Sequence, residues 1–218
     1  MCGIAGAISA DHSPVSPWKA VLESMARSLV HRGPDDQGIW FDEQQGIGLA
    51  HRRLSIVDLS ASGHQPMRSR NSRYVIAFNG EIYNYRDIRT DLSSQGHEFV
   101  STSDTEVLLA AVVQWGLRRT LDRIEGMFAI ALWDNEKRIL TLARDRFGEK
   151  PLYYGRFNGT LIFGSELRAL RQHPVWDVSI DRDALALLMR FDFIPAPYSI
   201  FRQVRKLRPG AMLEIQRS

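Results

Sequence analysis

The sequence has one cysteine, Cys2, so no internal disulfide can form and no cysteine-rich zinc site can be assembled. Its longest apolar runs, Val107–Val113 and Met127–Trp133, are far too short to span a bilayer. No apolar stretch of signal-peptide length follows the N-terminus, and the expected location is the cytoplasm. Basic residues give a net charge of only +3 and are scattered among acidic ones, which offers nucleic acid no basic patch. Repeats and low-complexity segments are missing too. No glycine-rich phosphate loop follows a strand, so nucleotide binding is not expected of this chain.

What is present is an ordinary globular composition, 44% hydrophobic and 24% charged over 218 residues, enough for one large domain with a real core. Gly3–Ser9 alternates small and apolar, a strand that would hold Cys2 at a sheet end. Ser16 and Pro17 open an amphipathic helix carrying Trp18, Val21, Leu22, Met25 and Leu29 and running to about Val30. Gly38–Asp42 and Ile47–His51 read as a hairpin, and Arg52–Met67 as a long loop of functional type. A strand over Arg73–Phe78 ends in Asn79-Gly80-Glu81. Asn84 is placed to cap a helix to Gln95, a short strand is expected near His97–Ser101, and Ser103 to Glu106 matches a capping box for a helix ending at Gly116.

Two further hairpins follow, Phe128–Asp134 with Arg138–Arg144 and Leu152–Phe157 with Thr160–Phe163, the second turned by Asn158-Gly159. Short helices are expected from Ser165 and over Asp181–Arg190. With strands outnumbering helices and neighbours joined mostly as hairpins, the class is α+β with mainly antiparallel sheet. Trp18, Trp40, Trp115 and Trp133 fall on apolar faces and read as core. His31, His51 and His64 fit no compact metal pattern and read as structural, His51 bracing the Arg53 segment; no metal is expected.

Chemistry points first to Cys2. Once Met1 is removed, this residue carries a thiol of reference pKa about 8.5 and a free α-amine of about 7.7–8.0. The amine can take the thiol proton, so nucleophile and general base arrive on one residue. With Met1 in place the nitrogen is an amide and the base is lost.

Five segments in order then carry a resemblance: Cys2-Gly3-Ile4, His31 to Asp35, His51 to Asp58, Asn79 to Asn84 and Ser103 to Glu106. Gly126 to Ala129, Arg144 to Tyr154 and Ser165 to Leu170 continue it. Together they resemble the class II, N-terminal-nucleophile glutamine amidotransferase domain, and specifically the glutaminase half of glutamine-hydrolysing asparagine synthetases. The resemblance implies a four-layer αββα sandwich of two mainly antiparallel sheets. It implies hydrolysis of the glutamine side-chain amide through a Cys2 thioester, with Asn79 and Gly80 donating to the oxyanion, Arg53 gripping the α-carboxylate and Asp104 holding the α-ammonium. Leu54, Ser55, Ile56 and Val57 would line the pocket, and Glu81 would be an auxiliary contact.

Residues 2–192 would form the glutaminase domain and 193–218 a bridge toward a synthetase domain. ATP and magnesium are expected only on that domain, so no cofactor is assigned here. The partners implied are L-glutamine and a synthetase domain in cis or on another chain, with a homodimer as an option and with no nucleic acid or membrane. Three alternatives stay open: a different ammonia acceptor such as a sugar carboxylate, a catalytically silent glutamine-sensing module, and a self-cleaving N-terminal-nucleophile protease, the last disfavoured because only Met1 precedes Cys2.

Overall fold

In a computed structural model of the chain, which describes residues 1–9, 18–56 and 60–216, every residue of the first strand, β1 (Gly3–Ser9), is buried. Along the chain follow α1 (Trp18–Arg27), β2 (Asp36–Asp42), β3 (Ile47–Arg53), the two-residue β4 (Met67–Arg68) and the long β5 (Tyr74–Ile82). Helices α2 (Tyr85–Ser94), α3 (Asp104–Trp115) and α4 (Leu117–Arg123) come next, then β6 (Gly126–Asp134), β7 (Ile139–Arg144), β8 (Tyr153–Phe157) and β9 (Thr160–Gly164). Helices α5 (Leu167–Leu170) and α6 (Arg182–Phe191) and strands β10 (Val204–Lys206) and β11 (Met212–Gln216) complete the described residues.

The strands form a six-stranded sheet ordered β10-β8-β9-β1-β3-β2 and a five-stranded sheet ordered β11-β7-β6-β5-β4. Every pairing among them is antiparallel. Strand alternation explains the layering. Ile4 and Ile8 of β1 point between the sheets, where they meet Val75, Ala77, Ala131 and Trp133, whereas Ala5 and Ala7 point outward under Trp18, Leu22 and Met25 of α1. On the second sheet Ile76, Phe78, Ile130 and Leu132 face outward onto Leu108 and Val112 of α3. The order is therefore helix, sheet, sheet, helix. One buried polar bond pins the two sheets together: His51 Nε2–H on β3 donates to Phe78 O on β5 (3.0 Å), and burial lowers the His51 pKa to about 4, which keeps the ring neutral.

Several local expectations change. Asn79 and Gly80 do not follow a strand but lie inside β5, which continues to Ile82 because each residue finds a partner on β6. Asn84 precedes α2 without capping it through its side chain, which instead donates to Arg123 O (2.9 Å) and accepts from Glu125 N (2.9 Å). No strand forms over 97–101, because the Glu106 carboxylate takes the Val100 and Ser101 amides (3.0 and 2.8 Å) that a ladder would need. The capping box is accordingly half realised: Ser103 Oγ accepts from Thr105 N, while Glu106 reaches past Ser103. The first helix ends at Arg27 rather than Val30, and its expected cap at Ser16 and Pro17 lies outside the described residues. The tail read as a bridge supplies β10 to one sheet and β11 to the other.

Candidate active site

Cys2 stands just ahead of β1, half-buried, at the end of the sandwich. Its carbonyl accepts from Arg32 Nε (2.9 Å), and Arg32 is itself fixed by Glu166 (2.9 Å), which also takes His31. The thiol donates to Leu54 O (3.7 Å), and the Leu54 N–H donates back to Sγ (3.4 Å). Burial pushes the thiol pKa up; the Leu54 amide, the chain's amino terminus and Arg53 pull against it.

The end of β5 faces this thiol across a cavity of about 110 Å³. Phe128 on β6 turns its N–H and its carbonyl to Asp145 (3.2 and 2.9 Å), so its register partner Gly80 sits at a pair that exchanges no ladder bonds. The N–H groups of Phe78, Gly80 and Ile82 consequently point away from β6. Gln65 Oε1 takes the first (2.7 Å) and Asp104 Oδ2 the third (3.0 Å), leaving the Gly80 N–H between them at the cavity wall. A side chain at 80 has no room, since a Cβ would lie 2.3 Å from Met127 O. Asn79 alternates to the inner face, is 1% exposed, and neither its Nδ2 nor its Oδ1 has a partner. A buried, wholly unpartnered carboxamide is costly unless a bound molecule completes it.

Asp104 opens α3 beside this edge, and burial raises its pKa to about 6 against the hydrogen bonds from the Ile82 and Thr105 amides. Arg53, at the end of β3, donates to Ser60 O (2.7 Å) and packs its guanidinium on Gly63. Its neighbour Arg52 is fully engaged elsewhere, with Gly33 O, Pro34 O and Gln37, which leaves Arg53 as the arginine of the cavity. A thiol, an unfilled amide-and-N–H pair, a guanidinium and a carboxylate thus share one wall-to-wall space.

A family model described as a glutamine amidotransferase domain matches residues 1–218. The chain belongs to that family. It is 38% identical over 217 residues to asparagine synthetase [glutamine-hydrolyzing] 1 of Bacillus subtilis, covering 99% of this chain and 34% of that protein. It is 42% identical over 176 residues to asparagine synthetase [glutamine-hydrolyzing] 2 of the same organism, covering 80% of this chain and 23% of that one. The chain therefore spans about a third or less of the length of these relatives. Among solved structures, a glutamine phosphoribosylpyrophosphate amidotransferase from B. subtilis shares the fold, with a TM-score of 0.67 at 22% identity, over 99% of this chain and 47% of that one.

Within this amidotransferase domain, Cys2, Arg53, Leu54, Ile56, Asn79, Gly80, Glu81 and Asp104 all line the one cavity. Ser55 does not; its N–H is held outside by Asp35 Oδ2 (2.8 Å). Val57 lies outside the described residues. Sequence reasoning missed Gln65, whose carboxamide bridges Phe78 N and Thr105 Oγ1 (3.2 Å), along with Met127 and Lys150. Met127 and Lys150 carried a signal, their places in the Gly126–Ala129 and Arg144–Tyr154 segments; Gln65 had only its place in the long Arg52–Met67 loop. Among the described residues no group of three His, Cys, Asp or Glu could hold a metal, and no helix is long and apolar enough to cross a membrane.

Proposed function

We propose that this amidotransferase domain hydrolyses the side-chain amide of L-glutamine through a Cys2 thioester and passes the ammonia to an ATP-dependent, asparagine-synthetase-like amidation on a synthetase domain. The observation that carries the reading is the unpartnered Asn79 carboxamide beside the Gly80 N–H, facing Cys2 across the cavity. Two donors preset toward empty space suit an oxygen that becomes negative only during reaction. Arg53 and Asp104 supply one cation and one anion, which is what the two backbone charges of a free amino acid require.

With Met1 removed, the α-amine of Cys2 takes the thiol proton and Sγ bonds to the carboxamide carbon. The C=O π pair moves to oxygen and is held by Asn79 Nδ2–H and Gly80 N–H. As that pair returns, the C–N bond breaks and the nitrogen leaves as ammonia with the proton from the Cys2 amine. Water then adds to the thioester, the amine taking its proton, and collapse expels the sulfur to give glutamate. The acceptor of the ammonia is inferred from the asparagine synthetases to which the chain is similar. A glutamate-release assay on protein whose loss of Met1 has been verified by mass spectrometry tests the reading. Steady hydrolysis is expected, with none in Cys2→Ala and about 10²–10³ less in Asn79→Ala. Full activity in Cys2→Ala would end it.

A further inference from the structure

Lys150 lines the cavity that holds Cys2, Asn79 and Gly80, and the reaction as written leaves it without a role. The residue is 5% exposed. Its recorded bonds are made by its backbone alone, the N–H donating to Asp145 Oδ2 (3.0 Å) and the carbonyl accepting from Arg144 Nε (2.7 Å). Among the described residues no carboxylate pairs with its side chain. Burying a cation without a counter-ion works against folding, so its retention makes sense where negative charge appears only transiently.

The loop around Lys150 is tightly held. Besides Lys150 N, the Asp145 carboxylate accepts the N–H groups of Phe147 (3.1 Å) and Glu149 (2.9 Å), and Arg144 also donates to Gly148 O (2.6 Å) and Leu207 O (2.7 Å). Gly148 takes φ +70°, the left-handed conformation this tight course requires. The Asp145 oxygen that holds Lys150 also holds Phe128 N–H, and Phe128 is the register partner of Gly80. One carboxylate therefore fixes Lys150 to the strand pair that carries the oxyanion donors. Arg53 and Asp104 match the two charges of the amino-acid head, which leaves Lys150 and the Glu81 carboxylate as the other charged side chains of the cavity.

We propose that Lys150 supplies a fixed positive charge to the oxyanion end of the cavity, a role that rests on the glutaminase reading above. When Cys2 Sγ bonds to the carboxamide carbon and the π pair moves to oxygen, the Lys150 charge stabilises that oxygen; when the pair returns and the C–N bond breaks, the interaction relaxes. No proton passes to or from Lys150.

The experiment compares the full chain with Lys150→Met, which keeps the unbranched stem, and Lys150→Arg, which keeps the charge. Expected for Lys150→Met are a kcat lower by about 10–100-fold, below the full loss of a donor, a KM for glutamine within about twofold, and a melting temperature equal to or above that of the wild type because the unpaired charge is gone. Lys150→Arg should recover most of the kcat. A Lys150→Met protein as active as the wild type, a loss of activity matched by Lys150→Arg, or a loss accompanied by a lower melting temperature would each overturn the proposal. A wild-type protein that fails to hydrolyse glutamine overturns the glutaminase reading and this one together, whereas an active wild type with an equally active Lys150→Met overturns this one alone.

Discussion

Asp104 is the residue whose environment makes the sharpest demand on pH. Its folded pKa of about 6 lies above the ordinary 3.8, with burial as the leading cause. Because the folded value is raised, its contribution to stability is fully present below pH ~4, lost as pH rises to about 6, and absent above. Binding an ammonium requires the opposite, ionised state. Glutamine affinity should therefore fall as pH drops through 6, and Asp104→Asn should both flatten that acid limb and raise KM by at least about tenfold, the worth of one desolvated charge pair. A KM profile over pH 5–8 checks this; an acid limb unchanged in Asp104→Asn would refute it. At this scale the sequence was legible where chemistry is carried by rare residue types. The single cysteine, and an arginine, asparagine and aspartate in a familiar order, converge on one cavity. Gln65 was illegible because its partners, Phe78 and Thr105, lie 13 and 40 positions away and nothing in its neighbours announces them.

Among the elements, alternation exposed the hairpins, because each strand of a two-sheet sandwich has one face between the sheets and one under a helix. The signal faded where polar side chains overrode backbone pairing. Glu106 removed the amides needed for a strand before α3, and Gly116, which closes α3 as expected, also opens α4, a helix for which the sequence reading has no element. Strand β5 is the element on which the site depends most. At Gly80 a methyl group would lie 2.3 Å from Met127 O and 2.8 Å from the Phe78 ring, neither of which is the far end of a flexible chain. Gly80→Ala should cost about 1–3 kcal/mol by overpacking, read as a lower denaturant midpoint, and should lower glutamate release further by moving the amide at 80. A variant with an unshifted midpoint would show that β5 tolerates what its geometry forbids.

For the molecule as a whole, the last described strands close both sheets. A three-residue strand such as β10 has no periodicity to read, so the tail's part in the sandwich becomes visible only through its pairing with β8 and β7. Deleting residues 212–218 should bare the β7 edge and uncover the inner cluster at Ile215, lowering the melting temperature and promoting aggregation. Thermal melts with light scattering check this, and a truncated protein that melts like the full chain would sink it.

The pairing of first with last also sets a timetable. Ile4 and Ser165, 161 positions apart, exchange hydrogen bonds (3.0 and 2.8 Å), so the support beneath Cys2 is assembled long after Cys2 leaves the ribosome. At about 5–20 residues per second, roughly 10–40 seconds separate the emergence of Cys2 from that of β11. During that interval Met1, which in the finished fold lines the cavity and contacts Arg32, hangs from a chain that has not yet closed. In the finished fold Met1 remains 57% exposed, so the sandwich closes without covering the residue whose removal the proposed mechanism requires.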